Sequence, residues 1–108
     1  MEQVEHEEII SGFLSNGEQL FNMGLYDELV GLCNEVLLNI NDERVFSMLS
    51  SAEFARGNVD SAEEAARKGI SLNPDNPDHL LNLAYILDHK GVFENALRYF
   101  VRARKKGD

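Results

Sequence analysis

The chain has 108 residues, a mass of 12.2 kDa and a net charge of −9, with 44% apolar and 27% charged residues. That is one ordinary domain, long enough for a core of its own, too short for a large catalytic fold, and too apolar for a disordered chain. The acidic balance argues against the broad basic face that a nucleic-acid binder needs, and no apolar run approaches the roughly 20 residues of a membrane span.

Charge is unevenly placed. Residues 1–43 hold ten acids and no Lys or Arg, residues 44–97 hold eight acids and five bases, and residues 98–108 hold five bases and one acid. Met1–Glu8 carries four glutamates where a signal peptide would need positive charge, so the expected location is cytoplasmic. The one cysteine, Cys33, has no internal disulfide partner and no zinc-ligand spacing around it, which fits a reducing compartment.

Taken along the chain, the apolar residues follow helical spacing. A first helix is expected over 3–23, with Phe13, Gly17 and Leu20, and a second over 26–39, with Tyr26, Leu29, Cys33 and Val36. A third over 43–56 carries Phe46, Leu49 and Ser50, and a fourth over 59–72 carries Ala62 and Ala66. Asn73, Pro74, Asn76 and Pro77 close that segment, and Pro77 suits the first turn of a fifth helix over 77–90 with Leu80, Leu83, Ala84 and Leu87. A sixth over 93–106 carries Phe93, Ala96, Leu97, Phe100 and Ala103. Gly24, Gly57 and Gly91 supply a permissive backbone between the helices of each pair, and Asp27, Asp60 and Glu94 suit the start of each second helix.

The pattern is a repeat. Phe46, Leu49, Ser50, Gly57, Ala62 and Ala66 recur 34 residues later as Leu80, Leu83, Ala84, Gly91, Ala96 and Phe100, and a weaker copy lies 33 residues upstream. Three units are expected, at about 10–42, 43–76 and 77–108, in a single domain over 1–108 with residues 1–9 as an acidic helical extension. Small residues fall at the expected helix crossings, Gly17, Ser50 and Ala84 against Ala62 and Ala96, with Phe13, Phe46, Leu80, Tyr26 and Phe93 expected to fill the space around them.

These units resemble the tetratricopeptide repeat. The third matches at nearly every signature position; the second has Glu53 for an apolar residue and Gly69 for the usual alanine; the first departs at Asn16, Leu29 and Asn41. The resemblance implies an all-α fold, a right-handed superhelical array of three helix-turn-helix units with about six antiparallel helices. It also implies a concave groove lined by the first helix of each unit. Carried over by position, the groove candidates are Ser11, Leu14, Glu18, Phe21 and Asn22, then Arg44, Ser47, Ser51, Phe54 and Ala55, then Asp78, Leu81, Tyr85, Asp88 and His89. Leu14, Phe21, Phe54, Leu81 and Tyr85 would make an apolar floor, and Glu18, Asp78 and Asp88 would favour a partner with Lys or Arg. The carboxylate-clamp subgroup of the family is excluded, because its matching positions hold Leu14, Glu18, Met48, Asp78 and Asn82, with no base among them. The three-repeat, acidic arrangement is nearer to secretion-type chaperones, without their usual flanking helices.

No polar capping helix follows Lys106, so Leu97, Phe100 and Val101 are candidates for self-association, including a homodimer through the C-terminal helix. Catalytic and metal constellations are not found. His6, His79 and His89 lack metal-ligand spacing and read as surface histidines, and Cys33 reads as a core thiol. No cofactor is expected. The leading expectation is a non-enzymatic interaction module that holds a peptide or helix of another protein in the groove. The alternatives are an accessory domain or fragment of a larger multidomain bacterial protein, such as a glycosyltransferase or secretion factor, and a self-assembling scaffold.

Overall fold

The computed structural model describes residues 2–107, which form α1 (Glu2–Asn22), α2 (Tyr26–Leu37), α3 (Glu43–Ala55), α4 (Val59–Leu72), α5 (Pro77–His89) and α6 (Phe93–Gly107). Three helical hairpins stack in a right-handed array 43 × 28 × 21 Å in extent. Within each hairpin the turn has one construction. Gly24, Gly57 and Gly91 adopt φ of 75°, 87° and 84°, and the N–H of the next residue reaches back five places, Leu25 to Leu20, Asn58 to Glu53 and Val92 to Leu87, each at 2.9 Å. This left-handed closure satisfies carbonyls that the first helix of each pair would otherwise leave open.

Between hairpins the chain uses side-chain caps. Asp42 accepts from the Arg44 N–H at 2.8 Å to start α3, and Asn76 accepts from the Asp78 N–H at 2.9 Å to start α5, with Pro77 in its first turn. The α2 helix ends at Leu37, two residues earlier than its periodicity suggests. There the N–H groups of Leu38 and Asn39 tighten onto the carbonyls of Glu35 and Val36, and Ile40 turns inward as a fully packed residue.

The core has two parts. One joins Ile10, Phe13, Leu29, Val30, Cys33, Ile40, Val45 and Ala52 across α1, α2 and α3, and the other joins Ala62, Ala66, Leu83, Ile86, Leu87 and Ala96 across α4, α5 and α6. The small residues sit where backbones approach. A Cβ on Gly17 would lie 3.1 Å from the Met48 Cε and 3.3 Å from the Leu29 Cδ1, and Ser50 is small enough for its hydroxyl to donate to the Ala62 carbonyl at 2.9 Å. Burial also pushes the Cys33 thiol up to about 12, the property of a core residue and not of a nucleophile.

Two expectations from sequence are corrected. Phe93 is not core but 66% exposed. Its counterparts Tyr26 and Val59 are half-buried because α3 follows α2 and α5 follows α4, whereas α6 lies against α5 alone at the backbone level. His79 is not a surface histidine but fully buried. Its Nε2 lies 3.1 Å from the Glu43 Oε1, and its ring sits over the Gly69 backbone, where an added Cβ would come within 2.6 Å of Nδ1. Glu43 also accepts from the Asn76 amide at 2.6 Å. Burial would push its carboxyl up, but hydrogen bonds from Asn76, Asn73 and His79 outweigh that and hold it below the ordinary value.

A carboxylate depressed on folding contributes stability above its unfolded pKa and loses it as the pH falls through its folded one. The urea midpoint is therefore expected to fall as the pH drops through the carboxylate range. Glu43→Gln is expected to lower the midpoint at neutral pH and to flatten this acid limb. An acid limb parallel to that of the wild type would remove Glu43 from the account.

Candidate functional site

The first helices of the hairpins, α1, α3 and α5, lie side by side along one flank, since α3 packs against both α1 and α5. Their shared face carries an open hollow of about 230 Å³ lined by Phe21, Ser50, Ser51, Phe54, Ala55, Asn82, Tyr85 and Ile86. Phe21 comes from the last turn of α1, Ser50–Ala55 from the second half of α3, and Asn82–Ile86 from the middle of α5. The depth comes from small residues, Ser50, Ser51 and Ala55, placed between large ones.

The aromatic walls are held in place from behind. Phe21 meets Tyr26 edge-on at 5.2 Å between ring centroids, Phe54 meets His89 at 5.3 Å, and Tyr85 meets Phe100 at 5.0 Å. Tyr85 nevertheless leaves 59% of its surface in water. The polar atoms at the floor are few: the Ser50 hydroxyl is already committed to Ala62, and the Asn82 amide lies 3.4 Å from the Ser47 carbonyl and hydroxyl. Such a site can grip an apolar side chain and orient it by a small number of hydrogen bonds.

Of the groove positions that the resemblance implies, Phe21, Ser51, Phe54, Ala55 and Tyr85 converge on the hollow. Leu14 is half-buried against the core of the first hairpin, and Leu81 is half-buried beside the hollow without lining it. Glu18, Asp78, Asp88 and His89 are exposed and do not line it, His89 reaching it only through Phe54. Arg44 is elsewhere engaged. It donates to Asp42 at 2.7 Å and to Glu7 at 2.8 Å, tying α1 to α3, and both carboxylates keep its guanidinium firmly charged while it holds theirs below their ordinary values. Ser50 and Ile86 line the hollow beyond the positions the resemblance implies, and Asn82 lines it from a position that the resemblance implies only for a carboxylate clamp. Asn82 falls on the same inward spacing as Asp78 and Tyr85 and was legible in principle; the contribution of Ser50 needs the helix crossing itself.

Among the described residues no group of His, Cys, Asp and Glu could hold a metal ion, and no helix is long and apolar enough to cross a membrane. Leu97 and Val101 are exposed and Phe100 is half-buried at the end of the array.

The family model for the tetratricopeptide repeat matches residues 43–86. No curated protein matches the chain. Solved structures do. The type III secretion translocator chaperone SycD of Yersinia enterocolitica is 19% identical, with a TM-score of 0.85 over 93% of this chain and 75% of its own, and it has also been solved with a peptide of the translocator YopD. PcrH, solved with the chaperone binding region of PopD, is 18% identical, with a TM-score of 0.83 over 93% of this chain and 76% of its own. MamA of Desulfovibrio magneticus RS-1 is 18% identical, with a TM-score of 0.81 over 88% of this chain and 54% of its own. Likeness at such identity is likeness of fold.

Proposed function

We propose that this chain of tetratricopeptide repeats is a protein-interaction module that holds a segment of another protein, extended or helical, along the face formed by α1, α3 and α5. The observation that carries the reading is the hollow between α3 and α5: an apolar recess with aromatic walls on the flank shared by all three hairpins. An exposed tyrosine, preordered by its edge-on contact with Phe100, is the kind of side chain that dominates binding energy at interfaces. Two proteins of the same fold, SycD and PcrH, are solved with peptide segments of other proteins, which supports a peptide as the occupant here. Glu18, Asp78 and Asp88, exposed on the three helices that supply the recess, favour a segment that carries Lys or Arg beside its apolar anchor. The repeat units at 10–42, 43–76 and 77–108 would then each contribute one wall, with no catalytic group involved.

The test is selection from a displayed library of short peptides, followed by affinity measurements on the winners. Tyr85→Ala should weaken them at least tenfold, in line with about 2 kcal/mol for an aromatic anchor, while the far-ultraviolet dichroism stays near wild type. Adding Leu81→Ala should weaken them further. Winners without basic residues would sink the charge preference, and winners indifferent to Tyr85 and Leu81 would sink the groove.

A further inference from the structure

The end of the array beyond α5 and α6 is built differently from the junctions inside it. Ser47, Ser51, Glu63 and Arg67 of the second hairpin face the third: Ser47 lies against Asn82, Ser51 shares the hollow with Tyr85, Glu63 accepts from Lys90 at 2.7 Å, and Arg67 reaches Tyr99. Their counterparts 34 residues later are Leu81, Tyr85, Leu97 and Val101. Glu63 and Arg67, whose charged groups meet Lys90 and Tyr99 of the third hairpin, thus give way to Leu97 and Val101, which face outward. Phe93, Leu97 and Val101 stand at intervals of four on one stripe of α6, 66%, 63% and 45% exposed, and Phe100 joins the stripe to Tyr85. Exposed Phe, Tyr, Leu and Val side chains of this number present roughly 400 Å², at the upper end of what monomers show to water.

The opposite end of the array does not match it. Gly12, Asn16 and Gln19, the counterparts of Val45, Leu49 and Ala52, are exposed, and Gly12 presents no side chain at all. Head-to-tail stacking would set Leu97 and Val101 over Gly12 and the amides of Asn16 and Gln19, although Val4 and Ile9 are exposed earlier on α1. The partner that does match is the same face of a second copy. Charge fits that arrangement too. The α6 helix has Glu94 in its first turn, beside Asp88 at the end of α5, and Arg104 and Lys105 in its last. Run antiparallel about a two-fold axis near its middle, α6 sets Leu97 over Val101 of the other copy and places each acidic end beside a basic one. The ten acids of residues 1–43 then lie at the far ends of the pair.

We infer that two copies of the chain pair through α6 and the adjoining part of α5, in a closed, two-fold dimer that leaves α1 and α3 free. The buried patch, roughly 800 Å² for both copies before the charged rim is counted, is below the size of a permanent interface, so the dimer is reversible.

Sedimentation equilibrium of the 108-residue chain over a wide concentration range, at low and high salt, should show masses moving from 12.2 kDa to twice that and no further. Leu97→Glu with Val101→Glu should hold the mass at the monomer with unchanged helical dichroism, whereas Gln19→Arg at the other end should change nothing. Glu94→Arg and Arg104→Glu should each weaken the dimer about threefold to fivefold, and the two together should restore it, because a two-fold pairing exchanges the charges with each other. A monomer at every concentration, growth past the dimer that Gln19→Arg abolishes, or a double charge swap that fails to restore pairing would each overturn the proposal.

Discussion

Replacing Gly69 by alanine is expected to cost the fold about 3 kcal/mol, far more than a glycine-to-alanine change inside a helix usually does, since that change ordinarily stabilises. The added Cβ would come within 2.6 Å of the His79 Nδ1 and 2.8 Å of its Cε1, distances at which something must move. The imidazole has little room to retreat, because it is fully buried and its Nε2 is held on the carboxylate of Glu43. His79→Ala should cost about 2 to 3 kcal/mol by itself, through the cavity and the carboxylate it leaves without one of its donors. The informative variant is the double one. With the ring gone, a methyl group at position 69 fills part of its space, so Gly69→Ala with His79→Ala should be no less stable than His79→Ala alone. Chemical denaturation of the four proteins gives the coupling directly. Additive losses would mean that the two residues do not share this space.

That pair also separates what the repeat pattern makes legible from what it leaves hidden. The six helices were legible because each hairpin repeats its glycine turn, and only glycine occupies the left-handed position at 24, 57 and 91 without strain. The small residues at the crossings were legible for the same reason: Ser50, Ala62, Ala84 and Ala96 recur at fixed spacing and all are buried. The burial of His79 is not legible in the histidine alone, which is more often a surface residue. The clue lay ten residues earlier, in the glycine that replaces the usual alanine at 69; the two departures from the pattern are one feature. The exposure of Phe93 escapes the pattern for the reverse reason. Its counterparts in the first two hairpins are covered by a following helix, and a repeat carries over the residue but not the neighbour.

The recess was half legible. The resemblance implies one flank for Phe21, Phe54 and Tyr85, but the depth between them depends on how closely α3 approaches α4, which the Ser50 hydroxyl fixes through the Ala62 carbonyl. The recess and the apolar end of the array also share a residue. Tyr85 forms a wall of the first and, through Phe100, continues into the second. For that reason Leu97 and Val101 separate pairing from peptide binding, and Tyr85 does not.

Glutamate at position 96 should be the most damaging of the single changes considered. Ala96 is 2% exposed and packs among Ala62, Ala66, Leu83, Ile86 and Leu87, at the crossing of α5 with α6. The added carboxylate has no base within that cluster, so it must either be buried unpaired or drive the helices apart. Either outcome should cost about 4 kcal/mol, a loss confined to buried charges and disrupted cores. Because α6 meets only α5 at the backbone level and touches α4 through side chains alone, the least costly response is release of α6 while the α1–α3 core stays folded. Repeat arrays fold through contacts between neighbours, which permits such partial unfolding. Ala96→Glu should therefore lose the helical dichroism of about one helix, and hydrogen exchange should show α6 unprotected while α2 and α3 remain slow. Loss of protection throughout would show that the third hairpin supports the other two; protection unchanged everywhere would contradict the placement of Ala96 in the crossing.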